Sequence, residues 1–382
     1  MSKTVIHKLT DFGQSIWLDN INRFLIESGK LGQMIEMGLS GLTSNPTIFD
    51  KAISESQSYD ARIAQFKSAG KSTFEIYDDL TVRDIQDAAD MFGEVYKSSG
   101  GLNGYVSLEV DPRIASDTEA TLKEAQRLYR KVNRPNVMFK IPATEEGFPA
   151  VEELLALGIN INVTLIFSVE QYVKTAQIFL RGLEKLSRNS DDLSKTASVA
   201  SVFVSRVDSV IDKALDELIA REEDSQKKTK LISLKGKAAV ANSSLIYKKS
   251  KEILSTEDFK RLATKKARLQ RVLWASTSTK NPGYNDIKYV SELIVKNTVN
   301  TLPGNTYEAF LDHGNVKEAL KDNFKDAENI INDLMHIGID VNKVCEKLLK
   351  DGVAAFQNSF SSLLSSIEKK ADSLCLEQNA RG

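Results

Sequence analysis

A lysine stands inside the apolar segment Asn136-Val-Met-Phe-Lys140-Ile-Pro142, flanked by Phe139 and Ile141. Burying it as an unpaired cation would be costly, and a dry apolar setting favours the neutral amine. A neutral lysine amine attacks carbonyls to form a Schiff base. Taken alone, Lys140 has a simpler reading as half of a buried ion pair with Asp19 or Glu109, since structural pairs also perturb titration.

The neighbouring apolar runs change that balance, because each stops on a polar residue. SIWL ends in Asp19, GLTS in Asn45, YVSL in Glu109 and VMF in Lys140. In the next run Asn162 and Thr164 are two apart and share one face of a strand, and Ser201 and Phe203 stand in the same relation further on. Six polar strand ends in succession suggest a site. An imine at a ketose carbonyl is an electron sink, so a carbon–carbon bond can break once a base takes the proton from the hydroxyl two carbons away. One carboxylate suffices for that step, and a second can move protons while the imine forms.

Later segments offer groups of another kind. Ser201 and Arg206 are followed by WASTSTK, with Ser276, Ser278 and Lys280. Hydroxyls and cations beyond the late strands of a barrel suit a phosphate, although STSTK by itself is an ordinary polar loop. Two motifs mislead. Ala69-Gly-Lys-Ser-Thr73 resembles the end of a phosphate-binding loop, but Gln65 stands where the first glycine belongs, and the flanking segments are helical. Asn162-Val-Thr164 is formally a glycosylation site, yet it falls within a strand.

Short apolar runs alternating with helical periodicity must position these groups, and that alternation marks βα units around a parallel sheet. Strands are expected at Ser15–Asp19, Leu39–Ser44, Tyr105–Val110, Val137–Ile141, Ile161–Phe167, Val199–Val204, Val272–Ser276 and Thr298–Leu302. That set closes a (β/α)8 TIM barrel, expected as a single domain over residues 1–382. One helix is expected over INRFLIESGKLGQMIEMG, starting near Asp19 or Asn20. Capping boxes are expected at Ser116-x-x-Glu119 and Ser168-x-x-Gln171. The connection from Pro46 to Gly104 has room for two or three helices, and the charged AREEDSQKKTK reads as a helix end or surface loop. Additional C-terminal helices, over 315–382, are amphipathic and would pack across the barrel or against a partner subunit, which leaves a homodimer open.

Composition excludes several classes of function. With 51 Lys and Arg against 52 Asp and Glu, no field steers the chain to nucleic acid or an anionic membrane. No apolar run reaches the roughly 20 residues of a membrane span, and MSKTVIHKLTDFGQ lacks the apolar core of an export signal, so a cytosolic protein is expected. Cys345 and Cys375 read as reduced thiols, and three scattered histidines, His7, His313 and His336, make neither a metal site nor an obvious triad.

The segments GLTSNPTIF, VSLEVDPRIASD, VMFKIPATEEG, INVTLIFS and SVASVFVSRVDS resemble, in order and spacing, the signature segments of transaldolases, over residues 10–310. The resemblance implies a transferase of the non-oxidative pentose phosphate pathway. It would move a dihydroxyacetone unit from sedoheptulose 7-phosphate to glyceraldehyde 3-phosphate, giving erythrose 4-phosphate and fructose 6-phosphate. By the same resemblance Lys140 is the Schiff-base lysine, and Asp19 takes and returns the hydroxyl proton. Glu109 and Thr164 handle a water, Asn45 and Asn162 hold ketose hydroxyls, Phe203 lines the site, and Ser201 with Arg206 touches phosphate. It implies no metal and no organic cofactor. Commoner members carry Ser-Phe-Arg after the seventh strand, whereas this chain has Ser276, Thr277 and Ser278, with Lys280 the nearest cation, as in a longer branch of the family. Lysine acts there as a point charge, where arginine would clamp phosphate through two bonds.

Two other readings share these residues. A simple aldolase would use the same lysine but release free dihydroxyacetone. A non-catalytic barrel would keep Lys140, Asp19 and Glu109 as a structural ion network.

Overall fold

A computed structural model describes residues 3–320 and 324–381. Among these, eight parallel strands close into a barrel in sequence order: β1 (Gln14–Asp19), β2 (Gly41–Thr43), β3 (Tyr105–Glu109), β4 (Val137–Pro142), β5 (Ile161–Ile166), β6 (Ser198–Phe203), β7 (Arg271–Ala275) and β8 (Thr298–Leu302). Leu18 pairs with both Leu42 of β2 and Leu302 of β8, so the first strand closes the ring. The expected strands are all present, with ends that move by a residue or two. β7 stops before Ser276, whose φ of 55° lies in the left-handed region and takes it out of the ladder. Leu165 has φ of 59° within β5, where the register to β6 shifts as in a β-bulge.

The helix α1 (Val5–Phe12) precedes β1. The single helix expected after β1 is two, α2 (Arg23–Glu27) and α3 (Lys30–Glu36), because Gly29 adopts φ 77° between them. The cap of α2 is Asn22, whose side chain accepts from the Leu25 amide at 2.7 Å, so neither Asp19 nor Asn20 serves. Between β2 and β3 the chain forms α4 (Pro46–Glu55), α5 (Asp60–Ser68), α6 (Thr73–Met91) and α7 (Gly93–Ser98), more than the two or three expected. Lys71 and Ser72 lie in the turn between α5 and α6, and Ser72 forms a capping box with Glu75, which disposes of a phosphate loop there.

Next come α8 (Thr118–Val132), α9 (Gly147–Ala156), α10 (Val169–Ser187) and α11 (Ser205–Arg221). The cap of α8 is Asp117 rather than Ser116, since Asp117 accepts from the Ala120 amide. At α10 the Ser168–Gln171 box is present as expected. The charged stretch ends α11 and begins α12 (Ser225–Leu234), which is followed by α13 (Ala238–Leu254) and α14 (Glu257–Thr264). The helices α15 (Lys288–Glu292) and α16 (Gly304–His313) flank β8, and α17 (Lys325–His336) leads to the long α18 (Val341–Arg381).

Of the two placements expected for the C-terminal helices, α18 takes the one across the barrel. It packs against α4, α5, α6, α11 and the top of β5. Cys345, Leu348, Phe356, Phe360, Leu363, Ile367 and Ala371 form its buried stripe at steps of three, four and multiples of these. Among the described residues, no helix is long and apolar enough to cross a membrane.

Side chains fill the barrel in layers. At its lower end the buried Arg271 donates to the Ser15 hydroxyl, the Asn103 side chain and the Leu102 carbonyl. Above it Trp17 fills the interior opposite Gly41, where a Cβ would lie 2.6 Å from the indole nitrogen. Two residues beyond Trp17 along β1 is Asp19, at the upper rim.

Candidate active site

The upper ends of the strands surround a pocket of about 250 Å³. It is not the largest recess, since a groove of about 550 Å³ runs beside it between α9, α10 and α18. The reactive groups nevertheless converge on the smaller one, at the end of a barrel where such enzymes carry their chemistry.

Lys140 rises from β4 into this pocket. Its Nζ donates to the Ser44 carbonyl at 2.9 Å and to Glu109 Oε2 at 3.3 Å, and the Phe356 ring centroid is 5.7 Å away. Glu109 is its register partner on β3 and stands behind it rather than on the pocket wall. Burial drives the Glu109 carboxyl up to about 7, while the charge and hydrogen bond of Lys140 pull it down, and Asp19 adds a smaller upward push. Its other oxygen, Oε1, is buried and has no partner among the described residues, and the same is true of Thr164 Oγ1 on the pocket wall.

Asp19 faces Lys140 from β1. Desolvation raises its carboxyl above the ordinary range, against the lowering influence of Lys140, the Thr43 hydroxyl and Lys280. Thr43 donates to Asp19 Oδ1 at 2.7 Å. That commits its only proton, so the 2.8 Å contact between Thr43 and Thr301 has Thr301 as donor. Asn162 lies beneath the pocket, fully buried, donating to Ser107 Oγ at 3.1 Å and accepting from Ser201 Oγ at 2.6 Å. These bonds fix the orientation of its amide across three strands. Full burial also disposes of the glycosylation motif.

The far side of the pocket is cationic. Arg206, at the start of α11, stacks over Phe203 at 5.4 Å and makes no hydrogen bond or ion pair among the described residues. Burial pulls its guanidinium below its ordinary range. Lys280 donates to Ser278 Oγ at 2.8 Å and has no carboxylate partner among the described residues. The loop carrying it is tied down where Tyr284 donates to Asp212 at 2.6 Å and Tyr289 donates to Asp208 at 2.9 Å, both acceptors lying on α11. Arg206 and Lys280 thus bring two cations without a carboxylate partner among the described residues to a pocket wall that also carries Asp19, a charge arrangement that suits a small anion.

The sequence of this chain matches the model of the Transaldolase/Fructose-6-phosphate aldolase family over residues 16–367. A protein named Transaldolase from Trichodesmium erythraeum is 47% identical over 370 residues, covering 96% of this chain and 97% of that one. A Transaldolase 2 from Nostoc sp. is 46% identical, covering 95% and 96%, and a Transaldolase from Saccharopolyspora erythraea is 43% identical, covering 96% and 98%. The chain belongs to the transaldolase family.

The residues expected from the transaldolase resemblance are drawn together by the barrel. Asp19, Asn45, Lys140, Thr164, Ser201, Phe203, Arg206, Ser276, Ser278 and Lys280 line the pocket, Glu109 adjoins Lys140, and Asn162 supports the floor. Asn45 also caps α4, its side-chain oxygen accepting from the Ile48 amide at 3.0 Å, and its NH2 has no partner among the described residues. The Ser276 hydroxyl lies 3.1 Å from that of Ser205. Sequence reasoning missed other lining residues, among them Thr43, Thr301 and Phe356. Thr43 sits two before Asn45 near the end of a strand and was open to discovery by the reasoning used for Asn162 and Thr164. Nothing local marks Phe356. Among the described residues, no group of three or more His, Cys, Asp or Glu is placed to hold a metal.

Proposed function

We propose that this transaldolase works through a Schiff base on Lys140, with proton transfer divided between Asp19 and Glu109. The observation that carries the reading is the one pocket lined by a buried lysine, the Asp19 carboxylate and two cations without a carboxylate partner among the described residues, with Glu109 hydrogen-bonded to that lysine from behind and both carboxyls raised by burial. The Lys140 amine attacks the ketose carbonyl of sedoheptulose 7-phosphate. Glu109, titrating near neutrality, can both give and accept the protons needed as the carbinolamine loses water. The orphaned Glu109 Oε1 and Thr164 Oγ1 are suited to hold that water between them.

Asp19 then takes the proton from the C4 hydroxyl, the C3–C4 bond breaks, and its electrons pass into the imine to give an enamine. Erythrose 4-phosphate leaves. The enamine carbon attacks the aldehyde of glyceraldehyde 3-phosphate, Asp19 returns the proton to the new hydroxyl, and hydrolysis of the imine frees fructose 6-phosphate. Asn45 and Asn162 orient ketose hydroxyls, while Arg206, Lys280, Ser201 and Ser276 hold the phosphate. Phe203 supplies a wall and a stacking surface for Arg206. The whole chain acts as one domain in this account, since α18 completes the pocket. Phosphorylated sugars are charged and do not cross bilayers unaided, which supports a cytosolic setting.

Transfer is distinguished from simple aldol cleavage by its dependence on the acceptor. Glyceraldehyde 3-phosphate should form from fructose 6-phosphate rapidly only when erythrose 4-phosphate is added. Formation at the same rate without it would reject transfer in favour of an aldolase.

A further inference from the structure

The strap helix α18 meets the reacting end of the pocket through one side chain. Among the described residues of α18, Phe356 alone lines it, and it is buried. Lys140 Nζ is hydrogen-bonded to one carbonyl and one carboxylate, and this aromatic ring stands 5.7 Å from it. The strap is seated firmly on both sides of Phe356. One turn earlier Gly352 lies against Leu165 in the bulge of β5, where an added Cβ would come within 3.0 Å of Leu165 Cδ2. One residue later Gln357 donates to the Pro112 carbonyl just beyond β3, and at the next turn the Phe360 ring packs edge-on to Tyr77 under Arg113. Cys345 donates to the Phe167 carbonyl beyond β5. These contacts fix how deeply Phe356 reaches.

The strap also packs along α4, α5, α6 and α11 and is held by Cys345 and Phe360, so a phenylalanine facing the amine is not required to hold it down. It places an apolar surface where an iminium would form, and closed apolar walls prevent hydrolysis of reactive intermediates. We propose that Phe356 is a specificity-determining residue that shields the lysine-bound three-carbon unit from bulk water, so that it leaves by transfer to an aldehyde and not by hydrolysis. This rests on the reading of Lys140 as the Schiff-base lysine.

The two fates divide at the enamine. In transfer, the enamine carbon forms a bond to the acceptor's carbonyl carbon, and the carbonyl oxygen takes a proton. In leakage, a proton adds to the enamine carbon and one water adds to the resulting iminium. The carbinolamine then collapses, releasing dihydroxyacetone and the free Lys140 amine. Leakage consumes one water and no oxidant or reductant. Admitting water beside Nζ favours it.

The test compares full-length wild type with Phe356→Ala and Phe356→Leu, each checked for folding by circular dichroism. With fructose 6-phosphate as donor, dihydroxyacetone release is measured without acceptor and sedoheptulose 7-phosphate-forming transfer with erythrose 4-phosphate. The release-to-transfer ratio should rise about tenfold in Phe356→Ala and return most of the way in Phe356→Leu, which keeps an apolar shield. An unchanged ratio in folded Phe356→Ala overturns the proposal. If that variant does not fold, a ratio in Phe356→Leu equal to wild type overturns it, and a rise of about twofold supports it. Borohydride trapping of wild type separates the two ideas. No adduct on Lys140 defeats the Schiff-base reading itself, whereas an adduct with an unmoved ratio defeats only the role of Phe356.

Discussion

Replacing Lys140 with methionine should make stability more sensitive to alkaline pH, because it removes the charge that holds the Glu109 carboxyl down. In the native protein Glu109 moves from an unfolded value near 4.5 to about 7. A carboxyl raised on folding contributes stability that is fully present below its unfolded value and is lost as pH rises through its folded value. The loss here runs from about pH 4.5 to about pH 7 and amounts to about 3 kcal/mol. Without Lys140, burial and the negative charge of Asp19 act unopposed, and glutamates buried without a counterion titrate near about 8–9. The loss then continues for roughly 1.5 pH units more, an additional cost of about 2 kcal/mol. Urea unfolding of both proteins at pH 6 and pH 9 reads this directly, because the packing contribution of methionine is the same at both values and cancels. The variant should lose about 2 kcal/mol more than wild type between the two. Parallel losses would refute the reasoning, and would mean that Lys140 is not the counterweight to Glu109.

Other residues give sharp expectations. In Thr43→Val, Asp19 loses a hydrogen bond that favours its charged form, so its carboxyl moves further up and the acid limb of the kcat–pH profile moves to higher pH. Activity at acid pH should fall on the order of tenfold, and an unmoved limb would separate Asp19 from the rate-limiting proton transfer. Lys280→Ala should raise KM for phosphorylated donors about 10- to 100-fold while leaving unphosphorylated fructose nearly unaffected, and an equal change in both would remove Lys280 from phosphate binding. Gly41→Ala should destabilise the barrel by about 2 kcal/mol, since the new Cβ meets the rigid Trp17 ring at 2.6 Å, and a neutral result by denaturant titration would contradict the packing described.

The barrel was legible because its strands are short apolar runs stopped by polar groups, and the same feature pointed to the candidate site. Asp19, Asn45, Glu109 and Lys140, which the barrel brings to one rim, could be picked out one strand at a time. What local patterns missed has physical causes. Asn22 caps α2 because Asp19 remains in β1, its hydrogen bond to Thr43 directed across the rim, a choice made by tertiary contact. The helix after β1 breaks at Gly29, whose freedom a periodic apolar pattern does not display. Phe356 meets Lys140 across more than two hundred residues of chain, and within its own helix it is one more apolar residue in an amphipathic stripe. That Arg206 and Lys280 have no carboxylate partner among the described residues is likewise a property of the assembled rim, and it is what supports the proposed phosphate grip over the generic polar loop that STSTK suggests.

The central claim, a covalent imine on Lys140, is tested most directly by trapping. Wild-type protein incubated with fructose 6-phosphate and reduced with borohydride should yield, on peptide mass spectrometry, a single lysine carrying a reduced dihydroxyacetone or hexose phosphate adduct within the Val137–Pro142 strand, and Lys140→Ala should yield none. An adduct on a different lysine, or turnover without any adduct, would contradict the account.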